Sequence, residues 1–189
     1  MTLGMRFLCS PQTTQNTNQH TIYPYANWFS HTRRNEDLFR GIAFPDAIPR
    51  FGDSFQLVEG DFLEHGSKHE YDFVVTLFFI DTSLNIISTL QHIHKLLKPG
   101  GMWINLGPLL WTSGGKAQLE LSLDEVLRLA EKIGFRIEGG TKVDKEKDST
   151  ATPLDNKTPR TVECEYTADR LAMMRWLYQA EFWVGTKLE

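Results

Sequence analysis

The sequence predicts an α/β fold, and the region from Tyr71 to Trp111 carries most of the evidence. A β-branched and aromatic run from Phe73 to Ile80 is typical of a buried strand, and leucines and isoleucines at helical spacing follow it. The segment Lys98-Pro99-Gly100-Gly101 ends this helix, and an apolar run from Met102 to Leu106 predicts a second strand. A strand, a helix and a strand in this order form a βαβ unit with two parallel strands.

The segments before this unit have weaker patterns. The stretch from Ser10 to His20 is rich in Gln, Asn and Thr, which is typical of a loop, and Pro45 and Pro49 favour irregular structure after it. The run from Ser54 to Val58 predicts a short strand that ends just before Gly60 and Asp61. An acidic residue therefore follows this predicted strand as well.

Two helices are expected in the second half of the chain. The first follows Asp81, and its inner stripe is predicted to hold Leu84, Ile87, Leu90, Ile93 or His94, and Leu97, with Gln91 and His92 on the polar face. The second has a capping box, Ser122 with Glu125, and ends at Gly134. Three further segments are a strand at Phe135 to Glu138, a mobile polar loop at residues 144–160, and a final strand at Arg175 to Thr186.

Composition limits the classes of partner. The 189 residues suit one domain, residues 1–189, and carry a formal net charge of -4, which argues against a nucleic-acid or anionic-membrane surface. A small-molecule or dipeptide substrate is the expected partner, and a homodimer is left open. The two cysteines are expected to be free thiols, and no metal site is predicted. We expect the protein in the cytoplasm, with the nucleus left open as a second location.

Asp61 and Asp81 both follow predicted strands, and ligands of open α/β sheets bind beyond the carboxyl ends of the strands. Each acid also has an ordinary structural explanation. Asp61 could cap a turn, and Asp81 could cap the helix that follows it. The residue pattern alone leaves both explanations open.

The residue sequences of several segments closely resemble those of the carnosine N-methyltransferase family of class I S-adenosylmethionine-dependent methyltransferases. The resemblance covers nearly the whole chain apart from the polar loop near residue 150. It rests on these segments: Cys9-Ser10, His20-Thr21-Ile22-Tyr23-Pro24, Arg33-Arg34, Phe44-Pro45-Asp46, Gly60-Asp61-Phe62, Phe78-Phe79-Ile80-Asp81-Thr82, Trp103 to Leu110, Glu120-Leu121-Ser122 and Met173-Met174.

The resemblance implies a Rossmann-like class I methyltransferase sheet with helices on both faces. It also implies N-methylation of the imidazole of carnosine, or of a similar histidine-containing dipeptide, with S-adenosyl-L-methionine as the cofactor. Asp61, Phe62 and Leu77 match the family's cofactor-binding positions.

Asp81 matches the family's substrate-binding and catalytic acid, and Tyr178 matches a substrate-contacting tyrosine. On sequence alone, an ordinary buried strand tyrosine is the favoured explanation of Tyr178. Thr112 lies where the family has a substrate-binding histidine, because Trp111-Thr112 replaces Tyr-His. A threonine can hydrogen-bond but cannot titrate near neutral pH, so the substrate of this chain is open.

Compared with the family, the sequence corresponds to the C-terminal portion of the methyltransferase domain, and the N-terminal strands are missing. It contains no strand followed by a glycine-rich turn of the kind that binds such cofactors. We therefore expect these 189 residues alone to lack cofactor affinity and activity. Two alternatives are a non-catalytic partner subunit of a complete methyltransferase and N-methylation of another small amine or peptide.

Overall fold

The computed structural model describes residues 2–111, 116–138, 159–166 and 169–189. Contacts divide the chain into two compact units, one of Met1–Asp61 with Thr167–Trp176 and one of Phe62–Tyr166 with Leu177–Glu189. The first unit contains helix α1 (Thr2–Cys9), strand β1 (His20–Ile22), helix α2 (Asn35–Leu38) and strand β2 (Ile42–Phe44). The second contains strand β3 (Tyr71–Leu77), helix α3 (Ile86–Leu96), strand β4 (Leu97–Gly107), helix α4 (Leu123–Ile133), strands β5 (Phe135–Ile137) and β6 (Arg160–Tyr166), and nearly all of strand β7 (Trp176–Lys187).

The second unit is built on a five-stranded mixed sheet. Its strand order is β3-β4-β7-β5, and β6 pairs with β7. Strands β3 and β4 are parallel, whereas β7 runs antiparallel to both β4 and β5. The parallel pair joined by α3 confirms the predicted βαβ unit, and the mixed sheet with its helices confirms the α/β fold class.

The core of this unit lies between one face of the sheet and helices α3 and α4. Buried aliphatic side chains of both helices form a single cluster with Trp103, Phe135 and Trp183, each of which is at most 1% exposed. Full burial of a large apolar side chain contributes about 1.5–3 kcal/mol, so this cluster holds the helices on the sheet. Both helices pack on the same face.

A buried chain of hydrogen bonds joins β3 to β4 inside this core. The indole N–H of Trp103 donates to the hydroxyl of Thr76 at 2.8 Å, and that hydroxyl donates to the side-chain carbonyl of Asn105 at 2.7 Å. The Asn105 amide group donates to the backbone carbonyl of Glu181 on β7 at 3.4 Å. Three strands are therefore connected by polar side chains that water does not reach.

Helix α4 has the caps that the sequence predicts. The Ser122 hydroxyl accepts a hydrogen bond from the Glu125 N–H at 3.4 Å, and the Glu125 carboxylate accepts one from the Ser122 N–H at 2.8 Å. These bonds to Ser122 lower the pKa of the Glu125 carboxyl. Gly134 ends the helix in the left-handed conformation with φ 116°. Both caps and the following strand β5 confirm the sequence-based prediction.

The predicted inner stripe of α3 is partly wrong. Leu84 lies before the helix and Ile87 points outward, with 55% and 37% of their surfaces exposed. The buried face instead begins at Ile86 and includes His92, which was assigned to the polar face. The ring of His92 packs edge-on against Phe62, and its Nε2 lies 2.9 Å from the backbone carbonyl of His65.

The predicted strand at Ser54 to Val58 is wrong. This segment lies in the first unit, and its only ladder contact is an isolated antiparallel bridge between Gly52 and Phe55. A strand needs a neighbour for its N–H and C=O groups, and no described strand lies beside this segment. The final strand, predicted at Arg175 to Thr186, is confirmed by β7. The predicted loop at 144–160 lies outside the described residues except for its last two positions.

In the first unit, Arg40 connects two separate parts of the chain. The guanidinium of Arg40 forms an ion pair with Asp169 and lies 3.6 Å from the centre of the Tyr25 ring. Strands β1 and β2 pair antiparallel, with His20 opposite Phe44.

Among the helices that the structure describes in either unit, none has the length and apolar character to cross a membrane.

Candidate active site

The residue that follows β3 has a strained backbone. Phe78 adopts φ 48°, a left-handed conformation that costs a residue with a side chain about 1–2 kcal/mol. Its N–H donates to the backbone carbonyl of Leu106 at 2.8 Å. A Cβ atom at Gly107 would lie 3.1 Å from both the Cα and the N of Phe78, so the strand end favours glycine at position 107.

Asp81 lies in the single 3-10 turn, Ile80–Thr82, that follows this strand end. It is only 5% exposed, and its Oδ2 accepts a hydrogen bond from the backbone N–H of Leu110 at 3.0 Å. Burial raises the pKa of the Asp81 carboxyl, and the N–H groups of Leu110 and of Asp81 itself partly oppose that rise. Because Leu110 lies just beyond β4, this carboxylate connects the carboxyl ends of two parallel strands.

The helix-capping explanation of Asp81 is wrong. Helix α3 begins at Ile86 and is capped by Asn85, whose side chain accepts from the N–H groups of Ile87 at 3.1 Å and Ser88 at 3.2 Å. A carboxylate offers about four acceptor positions, and the Leu110 N–H takes one of them on Asp81. Acceptor capacity therefore remains for a ligand N–H.

Tyr178 lies beside the same strand end. Its ring packs edge-on against Phe78, with a centroid distance of 5.7 Å, and against Tyr166, with a centroid distance of 5.6 Å. The side chain is half-buried rather than part of the closed core. Strand β7 thus brings an aromatic side chain with a hydroxyl group next to the turn that leads to Asp81.

The three predicted cofactor residues differ in their surroundings. Leu77, the last residue of β3, is 63% exposed. The Phe62 ring is packed edge-on against Phe79 at 5.1 Å and against His92 at 5.0 Å. Asp61 ends the first unit and directly precedes the 3-10 turn at Phe62–Glu64, so its role as a turn cap stays open.

S-adenosylmethionine is the cofactor that the resemblance implies, and the described residues fit only part of it. Leu77 and Phe62 offer apolar and aromatic surface of the kind that covers an adenine ring. None of the described strands runs into a glycine-rich turn whose N–H groups could approach the rest of such a molecule. Thr112, the remaining predicted site residue, lies outside the described residues.

Sequence reasoning missed several residues of this site. Phe78, Leu110 and Tyr166 contribute through a strained turn, a backbone N–H and a strand that was not predicted. The alternation of residues 160–166 could have indicated β6, but the neighbouring polar loop obscured it. In the described part of the chain, no three His, Cys, Asp or Glu side chains are grouped as a metal site would require.

Comparisons with known proteins agree with the resemblance. A family model described as carnosine N-methyltransferase matches residues 1–189. The chain is 35% identical to mouse carnosine N-methyltransferase over an alignment of 177 residues that covers 90% of this chain and 40% of that protein. It is 32% identical over 187 residues to the Schizosaccharomyces pombe protein of the same name, covering 88% of this chain and 45% of that one.

A solved complex between the Haloferax volcanii Trm112 methyltransferase activator and a methyltransferase contains a chain that matches with a TM-score of 0.47 and 16% identity. This match covers 74% of the present chain and 64% of that chain. The present chain spans less than half the length of the curated relatives quoted above. Because the family model spans the whole sequence, the chain belongs to the carnosine N-methyltransferase family.

Proposed function

We propose that this chain contributes the substrate site of an S-adenosylmethionine-dependent N-methyltransferase. The proposed acceptor is the imidazole of carnosine or a similar histidine-containing dipeptide, and methylated carnosine is anserine. The main support is Asp81, a buried carboxylate at the carboxyl end of a parallel strand that does not cap the neighbouring helix. Such a group is costly to bury unless it has a partner or a function.

Asp81 would orient the imidazole. A carboxylate that accepts the N–H of one ring nitrogen leaves the lone pair of the other nitrogen free to attack. Bound S-adenosylmethionine supplies a methyl group on a positively charged sulfur. Alkylation of a neutral imidazole leaves a cation, so the N–H held by Asp81 would become more acidic, and the carboxylate would stabilise or accept that proton. The pKa of this carboxyl, which burial raises, suits a proton acceptor.

Tyr178 and Phe78 would position the ring. The two rings are in edge-on contact, and Phe78 lies three residues before Asp81 along the chain. An imidazole ring packs well against aromatic surface of this kind. The imidazole and the Asp81 carboxylate would then lie together in an environment with little water. Correct alignment of the reacting groups would supply much of the rate acceleration.

Calorimetric titration with carnosine tests the role of Asp81. We expect Asp81→Asn to weaken carnosine binding about 10- to 100-fold, because a hydrogen bond to a charged acceptor contributes about 1.5–3 kcal/mol. Asp72→Asn is the matched control, because Asp72 has an exposed side chain and pairs with Lys98 at 2.8 Å. Equal affinities for Asp81→Asn and the unmodified chain would contradict the proposed role, as would a lack of carnosine binding by the unmodified chain.

We also propose that the 189 residues alone lack affinity for S-adenosylmethionine and do not transfer the methyl group. The support is the lack of a glycine-rich turn after any described strand, because such a turn supplies N–H groups and close backbone approach. Titration of the purified chain with S-adenosylmethionine tests this proposal. Micromolar affinity would refute it.

A second candidate acceptor is another small amine or peptide. It is favoured by Trp111-Thr112, where the family has Tyr-His and counts the histidine as a substrate contact. Competition of carnosine with other histidine-containing dipeptides and with histamine would rank the candidates by affinity. Tighter binding of a ligand other than carnosine would transfer the proposal to that ligand.

A further inference from the structure

Glu181 is a second carboxylate at the same end of the sheet as Asp81. It lies on β7 directly opposite Gly107, the last residue of β4. Residues that pair directly across an antiparallel ladder point to the same face of the sheet, so the Glu181 side chain projects in the direction of a Cβ at Gly107. That Cβ would meet the backbone of Phe78. The Glu181 side chain therefore projects from the face on which the chain turns towards Asp81.

The described surroundings of the Glu181 carboxylate provide a hydroxyl donor but no cation. The hydroxyl of Thr161 on β6 donates to its Oε1 at 2.6 Å. In the described part of the chain, no Lys, Arg or His forms an ion pair with this half-buried side chain. Burial raises the pKa of the Glu181 carboxyl, and the bond from Thr161 partly opposes that rise. A carboxylate offers about four acceptor positions, so most of them remain for a positively charged ligand.

The acceptor of the proposed function carries a suitable positive charge. Carnosine is β-alanyl-histidine, and its free amino group is an ammonium at neutral pH. An ammonium is compact and strongly hydrated, so a half-buried carboxylate binds it with less loss of hydration than a fully buried one. Asp81 is only 5% exposed and would already hold the imidazole N–H. Glu181 is therefore the better partner for the ammonium.

The length of a dipeptide suits this arrangement. Asp81 is bonded to Leu110, just beyond β4, and Glu181 lies on the neighbouring strand β7. Neighbouring strands are about 4.8 Å apart, whereas two extended residues span about 7 Å. A dipeptide whose imidazole contacts Asp81 is long enough to place its amino group over the adjacent strand.

We propose that Glu181 binds the ammonium group of the acceptor and makes this chain selective for imidazole dipeptides with a free amine. Thr161 is a positioning residue, because its hydroxyl holds one oxygen of the Glu181 carboxylate. This inference rests on the proposed function and narrows its class of acceptor. Acylation of the amine removes the positive charge, so acylated dipeptides are bound less tightly.

Calorimetric titration with carnosine and with N-acetylcarnosine tests the inference, because the two ligands differ in the charge of the amino group. We expect the unmodified chain to bind carnosine about 10-fold more tightly, and Glu181→Gln to remove most of that difference. Glu181→Gln should leave the affinity for N-acetylcarnosine unchanged. A structural defect would weaken binding of both ligands, so an equal loss for the two would overturn the inference. Equal affinities of the unmodified chain for the two ligands would also overturn it.

Glu131→Gln is the matched control, because Glu131 is exposed in the last turn of α4. This helix leads to Phe135, which pairs with Lys187 at the opposite end of β7. The control removes the same charge from the same unit and should change neither affinity. An equal loss of carnosine affinity in Glu131→Gln and Glu181→Gln would overturn the inference, since net charge would then explain the effect.

Thr161→Val keeps the Glu181 charge and removes the hydroxyl that holds it. We expect it to weaken carnosine binding about threefold, and an unchanged affinity would contradict the positioning role of Thr161. Circular dichroism checks that each variant folds. Loss of carnosine affinity in Asp81→Asn but not in Glu181→Gln would contradict this inference alone. Loss in Glu181→Gln but not in Asp81→Asn would contradict the proposed role of Asp81 alone.

Discussion

Substitution of Gly107 by alanine should destabilise the second unit by about 1–3 kcal/mol, the usual cost of adding a methyl group to a filled space. The added Cβ would lie 3.1 Å from the Cα and N of Phe78, whereas ordinary contacts begin at 3.4 Å. Both atoms belong to the backbone, so no side chain can rotate away. Phe78 already has the left-handed φ of 48°, and the strand end can relax only at further cost.

A double-mutant cycle with Phe78→Gly isolates this effect. Glycine adopts positive φ without strain, so the chain at position 78 can then move away from the added methyl group. We expect Gly107→Ala to cost less in this background, with a coupling energy of about 0.5–1.5 kcal/mol. Urea unfolding followed by tryptophan fluorescence measures each variant, because Trp103 and Trp183 are buried in this unit.

Gly52→Ala is the control for this cycle. A Cβ at Gly52 would meet no atom within 4 Å, so its effect should stay within about 0.5 kcal/mol. Additive costs for Gly107→Ala and Phe78→Gly would refute the argument that the two backbones compete for the same space. A Gly107→Ala variant as stable as the original chain would refute it more directly.

Two further predictions concern buried charged groups. Lys187→Met should lower the free energy of unfolding by about 1–3 kcal/mol, because the lost bonds to the carbonyls of His94 at 2.7 Å and Leu97 at 2.8 Å outweigh the relief of a buried charge. An unchanged melting temperature would contradict this. The raised pKa of Asp81 means that its contribution to stability is present below the unfolded pKa of about 3.9 and is lost as pH rises through the folded value. Asp81→Asn should remove this loss between acidic and neutral pH, and parallel stability curves for the two proteins would refute the assignment.

Local sequence patterns correctly predicted those elements whose sequence pattern lies entirely within the element itself. The βαβ unit and the capping box of Ser122 depend on periodicity and on residues three apart, and both were correct. The stripe of α3 was partly wrong because a 3-10 turn and the cap at Asn85 precede the helix and shift its start. The prediction of a strand at Ser54 to Val58 was wrong because an alternating residue pattern does not ensure that a neighbouring strand lies beside the segment.

The candidate site likewise contains residues that the sequence could indicate and residues that it could not. Asp81 could be selected from the sequence, since it is an acid that directly follows an apolar run. Its partner could not, because the N–H of Leu110 is a backbone group brought there by the parallel ladder. The left-handed turn at Phe78 was equally hidden, since aromatic residues rarely adopt that conformation and its close approach to Gly107 is a long-range contact.

The buried hydrogen bonds among Thr76, Trp103 and Asn105 have a consequence for sequence variation. Loss of the Thr76 hydroxyl alone would leave an indole N–H and an amide oxygen without partners, whereas replacing all three by apolar residues of similar shape could be nearly neutral. Selection should therefore remove single substitutions at these positions and tolerate simultaneous substitution of all three. Among orthologues we expect the three positions to covary as one block, and the strand register they fix to persist where the surrounding apolar residues drift.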